Sequence, residues 1–235
     1  MSKAVVVLSG GMDSTTLLHY VKKELKYGEV FAITFSYGQK HSIELEMAAK
    51  QCELVGVEEH RIVNIEFMRE LLKGSSSLVD TNMAVPHIKD IVGSAQPSTY
   101  CPNRNAIFVS IAASWAEAKG ATEVFAGFQR HDEYSGYWDT TNLFMDAYNN
   151  VLNLNRMHKI KILAPFVDMS KSAELEIGLK LEVDYSKTLT CYNGTIPCCT
   201  TCPTCADRIQ AWRKVGRIDP LPYAKPIPWA EWGCK

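Results

Sequence analysis

The sequence has no apolar run long enough to cross a membrane, and neither sign of charge dominates it. Membrane-spanning helices need about 18 or more consecutive apolar residues, and no such stretch occurs. The first residues also lack the basic and apolar regions of a secretory signal. With a formal net charge of -1, the chain has no basic character of the kind that nucleic-acid binding needs. We therefore expect a cytoplasmic protein with no membrane attachment and no strong nucleic-acid signature.

Internal repeats and low-complexity tracts are absent as well. The 235 residues, of which 46% are hydrophobic, suffice for one large domain or for one domain with a small appendage. Cysteine, by contrast, is plentiful, and five of the eight cysteines lie between Cys191 and Cys205. Because disulfides are disfavoured in the cytoplasm, this clustering indicates a metal site.

The N-terminal residues 3–18 (KAVVVLSGGMDSTTLL) have the pattern of a buried strand, a glycine turn and the start of a helix. Gly10 and Gly11 permit a tight turn and the close approach of a ligand to the backbone. We expect Ser14 and Thr15 to cap the helix. The free N–H groups at such a helix start bind anions, most naturally a phosphate, although an ordinary strand–helix turn is the alternative. No lysine follows the glycines, so the turn differs from the nucleotide-binding P-loop.

Strand-like and helical segments alternate through most of the chain. Strands are predicted at 4–8, 30–35, 60–65, 123–126 and 160–164, and helices from 14 and at 42–55, 105–119 and 143–154. Such alternation indicates an α/β fold, a parallel twisted sheet with helices on both faces. Ligands bind these sheets beyond the carboxyl ends of the strands, where residues 9–14 would lie.

Two segments depart from this alternation. Residues 74–98 are polar and rich in turn residues, and we interpret them either as a mobile insertion near the site or as an ordered peripheral excursion. The C-terminal segment combines the cysteines with a short helix at 206–215 and a tail at 219–235, which is expected to pack back as an extended strap. We therefore divide the chain into an α/β domain at 1–184 and a small appendage at 185–235.

The cysteine-rich segment has the spacing of a metal knuckle. Cys199, Cys202 and Cys205 form CxxCxxC, and Cys191 precedes them in the same segment. Four thiolates suit tetrahedral Zn²⁺, and a site closed by four of them is structural rather than catalytic. An iron–sulfur cluster and free thiols are the alternatives, and Cys198 could replace Cys199 in principle.

The glycine turn carries a first resemblance to a known family. Residues 9–14 (SGGMDS) resemble the SGGxDS loop of the PP-loop ATP pyrophosphatases, whose fold is the adenine nucleotide alpha hydrolase-like fold. That family cleaves ATP between the α and β phosphates, adenylates a substrate oxygen and lets a nitrogen or sulfur nucleophile displace AMP. The resemblance implies a nucleotide site made of Leu8, Ser9, Gly10, Gly11, Met12, Asp13 and Ser14. A carboxylate beside a polyphosphate repels it unless a cation intervenes, so Asp13 suggests Mg²⁺.

Segments further along the chain carry a second, narrower resemblance. They are residues 35–41 (FSYGQKH), 102–105 (PNRN), 133–137 (EYSGY), 189–192 (LTCY) with CxxCxxCxxR up to Arg208, and 219–223 (DPLPY). In this order they resemble the motifs of the QueC family, the 7-cyano-7-deazaguanine synthases, over almost the whole chain. The resemblance implies substrate contacts from Tyr37, Gln39, His41, Tyr134, Ser135, Tyr137 and Asp139. It makes Asp13, Arg104 and Lys171 the candidate catalytic residues, with an ordinary surface salt bridge as the alternative for Lys171.

QueC proteins convert 7-carboxy-7-deazaguanine and ammonia to the nitrile with ATP, which implies a small deazapurine substrate here. A carboxylate oxygen is a poor leaving group, and adenylation makes it part of AMP, which is a good one. Ammonia then gives the amide, and a second adenylation permits elimination to the nitrile. Each activation requires alignment and positive charge at the transferring phosphate. The resemblance also leads us to expect a homodimer, ATP with Mg²⁺, and structural Zn²⁺.

The chain departs from the QueC pattern beside the candidate substrate residues. The family commonly continues S-G-Y-P-D-C-R, whereas this chain has Trp138, Thr140 and Thr141 in place of Pro, Cys and Arg and keeps only Asp139. A missing arginine removes a bidentate donor that threonine cannot replace. We therefore expect residues 138–141 to change the handling of the substrate and not the binding of ATP.

Three other functions stay open at this point. The nearest is a QueC-like ligase that joins a deazapurine carboxylate to another amine, on a protein for example, and stops at the amide. A nucleic-acid-binding zinc knuckle is permitted by the cysteines, but the near-zero net charge and residues 9–14 oppose it. A tRNA thiolase would need a transferable sulfur and a basic surface, and neither is evident.

Overall fold

The computed structural model describes residues 2–39, 43–91, 96–129 and 137–235. Within these ranges five parallel strands form a sheet in the order β3-β2-β1-β4-β5. The strands are β1 (Lys3–Val7), β2 (Glu29–Ser36), β3 (Glu59–Asn64), β4 (Glu123–Ala126) and β5 (Lys161–Leu163). All five predicted strands are confirmed, and the α/β fold with a parallel sheet is correct.

Helices cover both faces of the sheet. They are α1 (Met12–His19), α2 (Ile43–Val55), α3 (Phe67–Leu71), α4 (Arg104–Lys119), α5 (Asn142–Leu152), α6 (Lys171–Lys180) and α7 (Pro203–Val215). The predicted helices are confirmed, and α7 starts earlier than expected because a proline fits the first turn of a helix. Among the described residues, none of the helices is long and apolar enough to span a membrane.

The central strand β1 is buried on both faces, and its side chains alternate between two cores. Val5 packs on the face covered by α3, α4 and α5, whose apolar residues join it there. Ala4 and Val6 pack on the opposite face, against α1 and α2. All three side chains are fully buried. Successive side chains of a strand point to opposite faces of the sheet, and both faces of β1 are covered. The run is therefore apolar throughout.

The start of α1 differs from the expectation that Ser14 and Thr15 cap it. The N-cap residue is Gly11, which has no side chain to accept a hydrogen bond. Ser14 lies inside the first turn instead, and its hydroxyl accepts the Ser9 N–H at 3.1 Å. The Thr15 hydroxyl is buried and finds no partner among the described residues. The first N–H groups of α1 are therefore not capped by either side chain, as an anion site requires.

The described part of the 74–98 segment packs against the domain at several points. Ser76, Ser77 and Val79 are fully buried. The Ser77 N–H donates to the Ser98 carbonyl at 2.8 Å, which closes the base of the excursion. Residues 92–95 lie outside the described residues, and the mobility of the segment stays a prediction.

The C-terminal segment packs on α1 and α6. Gly178 on α6 leaves room for the ring of Tyr185, because a Cβ there would lie 1.7 Å from the Tyr185 hydroxyl. The tail returns along the cysteine-rich segment, where Cys198 pairs with Tyr223 as an isolated bridge. It ends beside α7, with the Lys235 N–H donating to the Gly216 carbonyl at 3.0 Å. The division of the chain at residue 184 stays a prediction.

Candidate active site

A cavity of about 250 Å³ opens at the carboxyl ends of β1, β2 and β4. Leu8 follows β1, Phe35 lies near the end of β2, and residues 127–129 follow β4. The chain order of the strands reverses at β1, where β2 lies on one side and β4 on the other. Ligands of open parallel sheets bind at such a switch point. The cavity is therefore the candidate active site.

The glycine turn forms one end of this cavity. Gly10 has a φ of +82°, and a Cβ there would lie 2.3 Å from the Glu44 carbonyl oxygen of α2. Only glycine meets both requirements, the left-handed backbone and the contact with α2. The Gly11 N–H donates to the Ser9 hydroxyl at 3.2 Å. Of the seven predicted nucleotide-binding residues, six line the cavity: Leu8, Ser9, Gly11, Met12, Asp13 and Ser14.

Asp13 and Lys171 meet across the cavity wall. The Lys171 Nζ donates to both carboxylate oxygens of Asp13, at 2.8 and 2.7 Å. The exposed fractions of the two side chains are 11% for Lys171 and 23% for Asp13, so the pair is not an ordinary surface salt bridge. Although burial opposes its charge, the Asp13 carboxylate raises the pKa of Lys171. The start of α6 thus brings a cation to the glycine turn.

Glu174 is a second carboxyl behind this pair, and the sequence analysis missed it. It lies one turn after Lys171 on α6 and is fully buried. One of its oxygens accepts a hydrogen bond from the Gln129 side chain, which lines the cavity, and the other finds no partner among the described residues. Burial, and then the Asp13 charge, raise the pKa of Glu174 well above its ordinary value. The only signal in the sequence was its spacing of three residues from Lys171.

The raised pKa of Glu174 predicts a loss of stability with rising pH. The folded state retains the proton that the unfolded chain releases near pH 4.5, so the free energy of unfolding falls above that pH. Glu174→Gln removes this dependence. The variant should gain stability relative to the wild type by up to about 1.4 kcal/mol per pH unit. Urea unfolding from about pH 5 to about pH 8 measures it, with the exposed Glu176→Gln as the matched control. Parallel curves for wild type and Glu174→Gln would contradict the prediction.

Arg104 and several aromatic rings form the opposite end of the cavity. The Arg104 guanidinium lies 5.6 Å from the ring centre of Tyr37 and 5.8 Å from that of Phe108. Its Nη1 donates to the Tyr37 hydroxyl at 3.4 Å. Burial raises the pKa of Tyr37 to about 12 against the opposing charge of Arg104, so the phenol stays neutral. This end suits a flat, partly polar ring system, which stacks on aromatic faces and accepts hydrogen bonds from a cation.

The predicted substrate residues are only partly brought together. Tyr37, Gln39 and Tyr137 line the cavity. Gln39 is also tied into the turn after β2, where its side-chain oxygen accepts the Tyr37 N–H at 2.8 Å. Asp139 does not line the cavity and is 3% exposed, and burial raises its pKa against the Arg104 charge. The remaining three, His41, Tyr134 and Ser135, lie outside the described residues.

The positions that depart from the QueC pattern have different surroundings. Thr140 lines the cavity. Thr141 does not, and its hydroxyl caps α5 by accepting the Phe144 N–H at 3.2 Å. Trp138 is half exposed and donates from its indole nitrogen to the Tyr100 hydroxyl at 2.8 Å. Position 141, where the family commonly has an arginine, is therefore the N-cap of a helix in this chain.

Thr141→Ala should accordingly lower the free energy of unfolding without changing the affinity for the deazapurine that the sequence resemblance implies. Loss of a threonine N-cap costs about 1 kcal/mol, which lowers Tm by about 2–4 °C in a chain of this size. Thr141→Ser retains the cap and is the matched control, and calorimetric titration measures the affinity. An unchanged Tm together with weaker binding of the ligand would show that Thr141 contacts the ligand instead.

The four predicted metal ligands lie together beside the cavity. The sulfurs of Cys191, Cys199, Cys202 and Cys205 all lie within 4.8 Å of one another. The Sγ atoms of Cys199 and Cys205 are 3.9 Å apart. Ligand sulfurs at 2.3 Å from a tetrahedral ion would be separated by about 3.8 Å, so the cluster can hold such an ion. The sequence analysis therefore identified a set of thiols that fits a metal.

The segment that carries Cys191 also reaches the glycine turn, which the sequence did not reveal. Leu189, Thr190 and Tyr192 line the cavity, as does Thr204 at the start of α7. The Leu189 N–H donates to the Gly10 carbonyl at 3.0 Å. The cysteine-rich segment thus forms a wall of the candidate active site.

Comparison with known proteins agrees with this arrangement. The family model described as "Queuosine biosynthesis protein QueC" matches residues 3–216. A protein named 7-cyano-7-deazaguanine synthase from Caldicellulosiruptor bescii is 44% identical over 227 residues, which are 97% of this chain and 100% of the relative. One of the same name from Oceanobacillus iheyensis is 42% identical over 223 residues, 94% of this chain and 98% of the relative. The family-model match at residues 3–216 includes the glycine turn, the residues that line the cavity and the cysteine cluster, and this chain belongs to the QueC family.

Proposed function

We propose that this chain is an ATP-dependent carbon–nitrogen ligase that converts 7-carboxy-7-deazaguanine and ammonia to 7-cyano-7-deazaguanine. The observation that carries the proposal is the end-to-end similarity to relatives of that name, at 44% identity over 97% of this chain. The cavity supports it, because one end offers an anion site and the other offers aromatic faces with an arginine.

ATP is proposed to bind with its pyrophosphate at the glycine turn. The uncapped N–H groups at the start of α1 and the hydroxyls of Ser9 and Ser14 are donors for phosphate oxygens. Asp13 is the carboxylate on the cavity wall that would hold Mg²⁺, and a bound Mg²⁺ would neutralise the polyphosphate charge. Lys171, which is paired with Asp13, supplies positive charge at the same place.

The deazapurine is proposed to bind at the end of the cavity that Arg104 and the aromatic residues form. Its carboxylate would then face the α-phosphate of ATP inside the same cavity, which is the alignment that adenylation requires. The first adenylation places one carboxylate oxygen in AMP, and ammonia displaces that AMP to give the amide. The second places the amide oxygen in AMP with release of pyrophosphate and one N–H proton, and loss of this AMP with the other N–H proton leaves the nitrile. Arg104, which cannot lose its proton at ordinary pH, supports the charge that develops.

The cysteine cluster is proposed to hold structural Zn²⁺. Three of its four cysteines are buried and four thiolates fill a tetrahedral shell, which leaves no position for a substrate. Zinc would join residue 191 to the start of α7 and thereby stabilise the wall of the cavity. The homodimer expected from the sequence stays a prediction, which size-exclusion chromatography with light scattering checks.

Mass spectrometry of the products tests the proposed function. Purified protein is incubated with ATP, Mg²⁺, 7-carboxy-7-deazaguanine and ammonia, and we expect the nitrile together with two AMP for each nitrile. An amide that accumulates without nitrile would indicate a ligase that stops one step earlier. If no deazapurine product forms while the protein is folded and metal-loaded, the proposal is wrong.

A further inference from the structure

Residues 185–192 lie between the glycine turn and the cysteine cluster. On one side, the Leu189 N–H donates to the Gly10 carbonyl at 3.0 Å. Tyr185 reaches the same region, because its hydroxyl lies 2.7 Å from that of Thr16 on α1. Leu189 is fully buried, so solvent does not compete for its N–H. The position of this segment therefore bears directly on the position of the turn.

The Gly10 carbonyl also determines where the next N–H points. The carbonyl of Gly10 and the N–H of Gly11 belong to one planar peptide group, in which they point in opposite directions. A hydrogen bond that fixes the carbonyl thus fixes the N–H of Gly11. Gly11 lines the cavity, and its N–H donates to the Ser9 hydroxyl at 3.2 Å, so the same peptide group also bears on the position of Ser9.

Arg208 holds the other side of the segment. It is 1% exposed, although arginine is almost never fully buried without partners. Its Nη1 donates to the hydroxyls of Thr188 at 2.8 Å and Thr190 at 3.1 Å, and its Nη2 donates to the Tyr185 carbonyl at 3.2 Å. The threonines flank Leu189, so one guanidinium donates hydrogen bonds on both sides of the residue that contacts Gly10.

Asp219 in the tail neutralises and orients this guanidinium. The Nε and Nη2 of Arg208 donate to the two Asp219 oxygens at 2.6 and 2.9 Å. Such a bidentate pair fixes the plane of the arginine. The Tyr223 hydroxyl also donates to Asp219, at 2.6 Å.

We propose that Arg208 is a positioning residue for the nucleotide site, which acts through Thr188, Thr190 and the Leu189–Gly10 hydrogen bond on the glycine turn. Arg208 is not among the residues that line the cavity. The inference rests on the proposed function for its ligand, since the turn is expected to hold the pyrophosphate of ATP. It adds a role for α7, whose first turn carries Cys205.

The test compares two conservative variants of the same buried network. Thr188→Val removes the Arg208 contact that lies next to Leu189, together with the hydrogen bond from the Thr188 hydroxyl to the Tyr185 carbonyl, whereas Tyr223→Phe removes a hydrogen bond to Asp219. Arg208→Lys is a third variant, which is measured if it folds. It keeps the positive charge opposite Asp219 but loses the planar guanidinium and its several donors. Two quantities are measured below the Tm of each protein. They are the Kd for an ATP analogue with a methylene bridge between the α and β phosphates, and the hydrogen–deuterium exchange of the peptide that covers residues 9–14 without nucleotide.

Thr188→Val should raise the Kd about fivefold or more, since about fivefold is the effect of one lost hydrogen bond, and should speed exchange at residues 9–14. Arg208→Lys should act in the same direction. Tyr223→Phe should lower Tm by about as much as Thr188→Val does. It should leave the Kd for the ATP analogue and the exchange at residues 9–14 unchanged. An unchanged Kd in Thr188→Val, or an equal rise in Tyr223→Phe, overturns the inference. If the wild type binds no nucleotide, the proposed function fails. The exchange data then decide alone, and unchanged exchange in Thr188→Val overturns the positioning of the turn.

Discussion

Asp13→Asn should abolish nearly all AMP formation while the protein remains folded. The substitution removes the carboxylate that lines the cavity at the glycine turn and is proposed to hold Mg²⁺ against the pyrophosphate. It also leaves Lys171 without its partner at 2.7 Å. Loss of one such charged group in a preorganised site lowers the rate by about a hundredfold or more. A coupled assay of AMP release at saturating ATP measures the effect.

Two further variants separate catalysis from folding. Asp146→Asn changes an exposed aspartate on α5 and should leave the rate unchanged. Asp13→Asn combined with Lys171→Met removes both charges of the pair, which should recover the stability lost by Asp13→Asn because no buried charge is left unpaired. The rate should stay low in this double variant. A near-normal rate of AMP formation in Asp13→Asn would remove Asp13 from the mechanism.

Cys205→Ser should lose the bound zinc and a large part of the stability. Cys205 is 1% exposed and lies at the start of α7, and its sulfur lies among the other three thiols. Because metal binding contributes folding free energy, we expect a loss of about 3 kcal/mol or more, which corresponds to a fall in Tm of roughly 10 °C. Metal analysis by inductively coupled plasma mass spectrometry, together with thermal unfolding, measures both effects. The wild type should contain one zinc per chain and no iron.

Cys198→Ser is the matched control for the metal site. Cys198 is as buried as Cys205, but it lies outside the set of four sulfurs that can hold an ion. Its variant should therefore retain one zinc, and its Tm should fall far less. The ligand set would be wrong if Cys198→Ser lost the metal while Cys205→Ser kept it.

Local patterns in the sequence were sufficient for most of the secondary structure. The apolar run of β1 is buried on both faces, as its uninterrupted pattern indicated, and the other strands follow from the same signal. The prediction that Ser14 and Thr15 cap α1 was wrong, since the N-cap is Gly11. A hydroxyl residue near the start of a helix favours a cap, but its type alone does not say where its side chain points. The Ser14 hydroxyl instead bonds Ser9 across the turn, a contact that depends on the fold of the turn itself.

The residues of the candidate site likewise divide into those that a local motif predicted and those that it did not. The glycine turn and the cysteine cluster are short-range motifs, so their residues could be predicted from spacing, and the residue types already indicated phosphate and metal. Glu174 and Phe108 belong to no such motif, and Leu189 belongs to the LTCY segment, which gives no sign of its contact with Gly10. They reach the site because α6, α4 and the 185–192 segment pack around the carboxyl ends of the strands.

By itself, the sequence determined the α/β class, the order of the elements, the glycine turn and the set of four thiols, because each depends on residues close together in the chain. Only the tertiary structure decided that Asp13 pairs with Lys171 and that Arg208 donates to Thr188 beside the residue that contacts Gly10. It also placed Asp139 behind the cavity wall and Thr141 at the start of α5. Such contacts join residues that are distant in sequence or depend on the direction in which a side chain points, and local pattern carries no information about either.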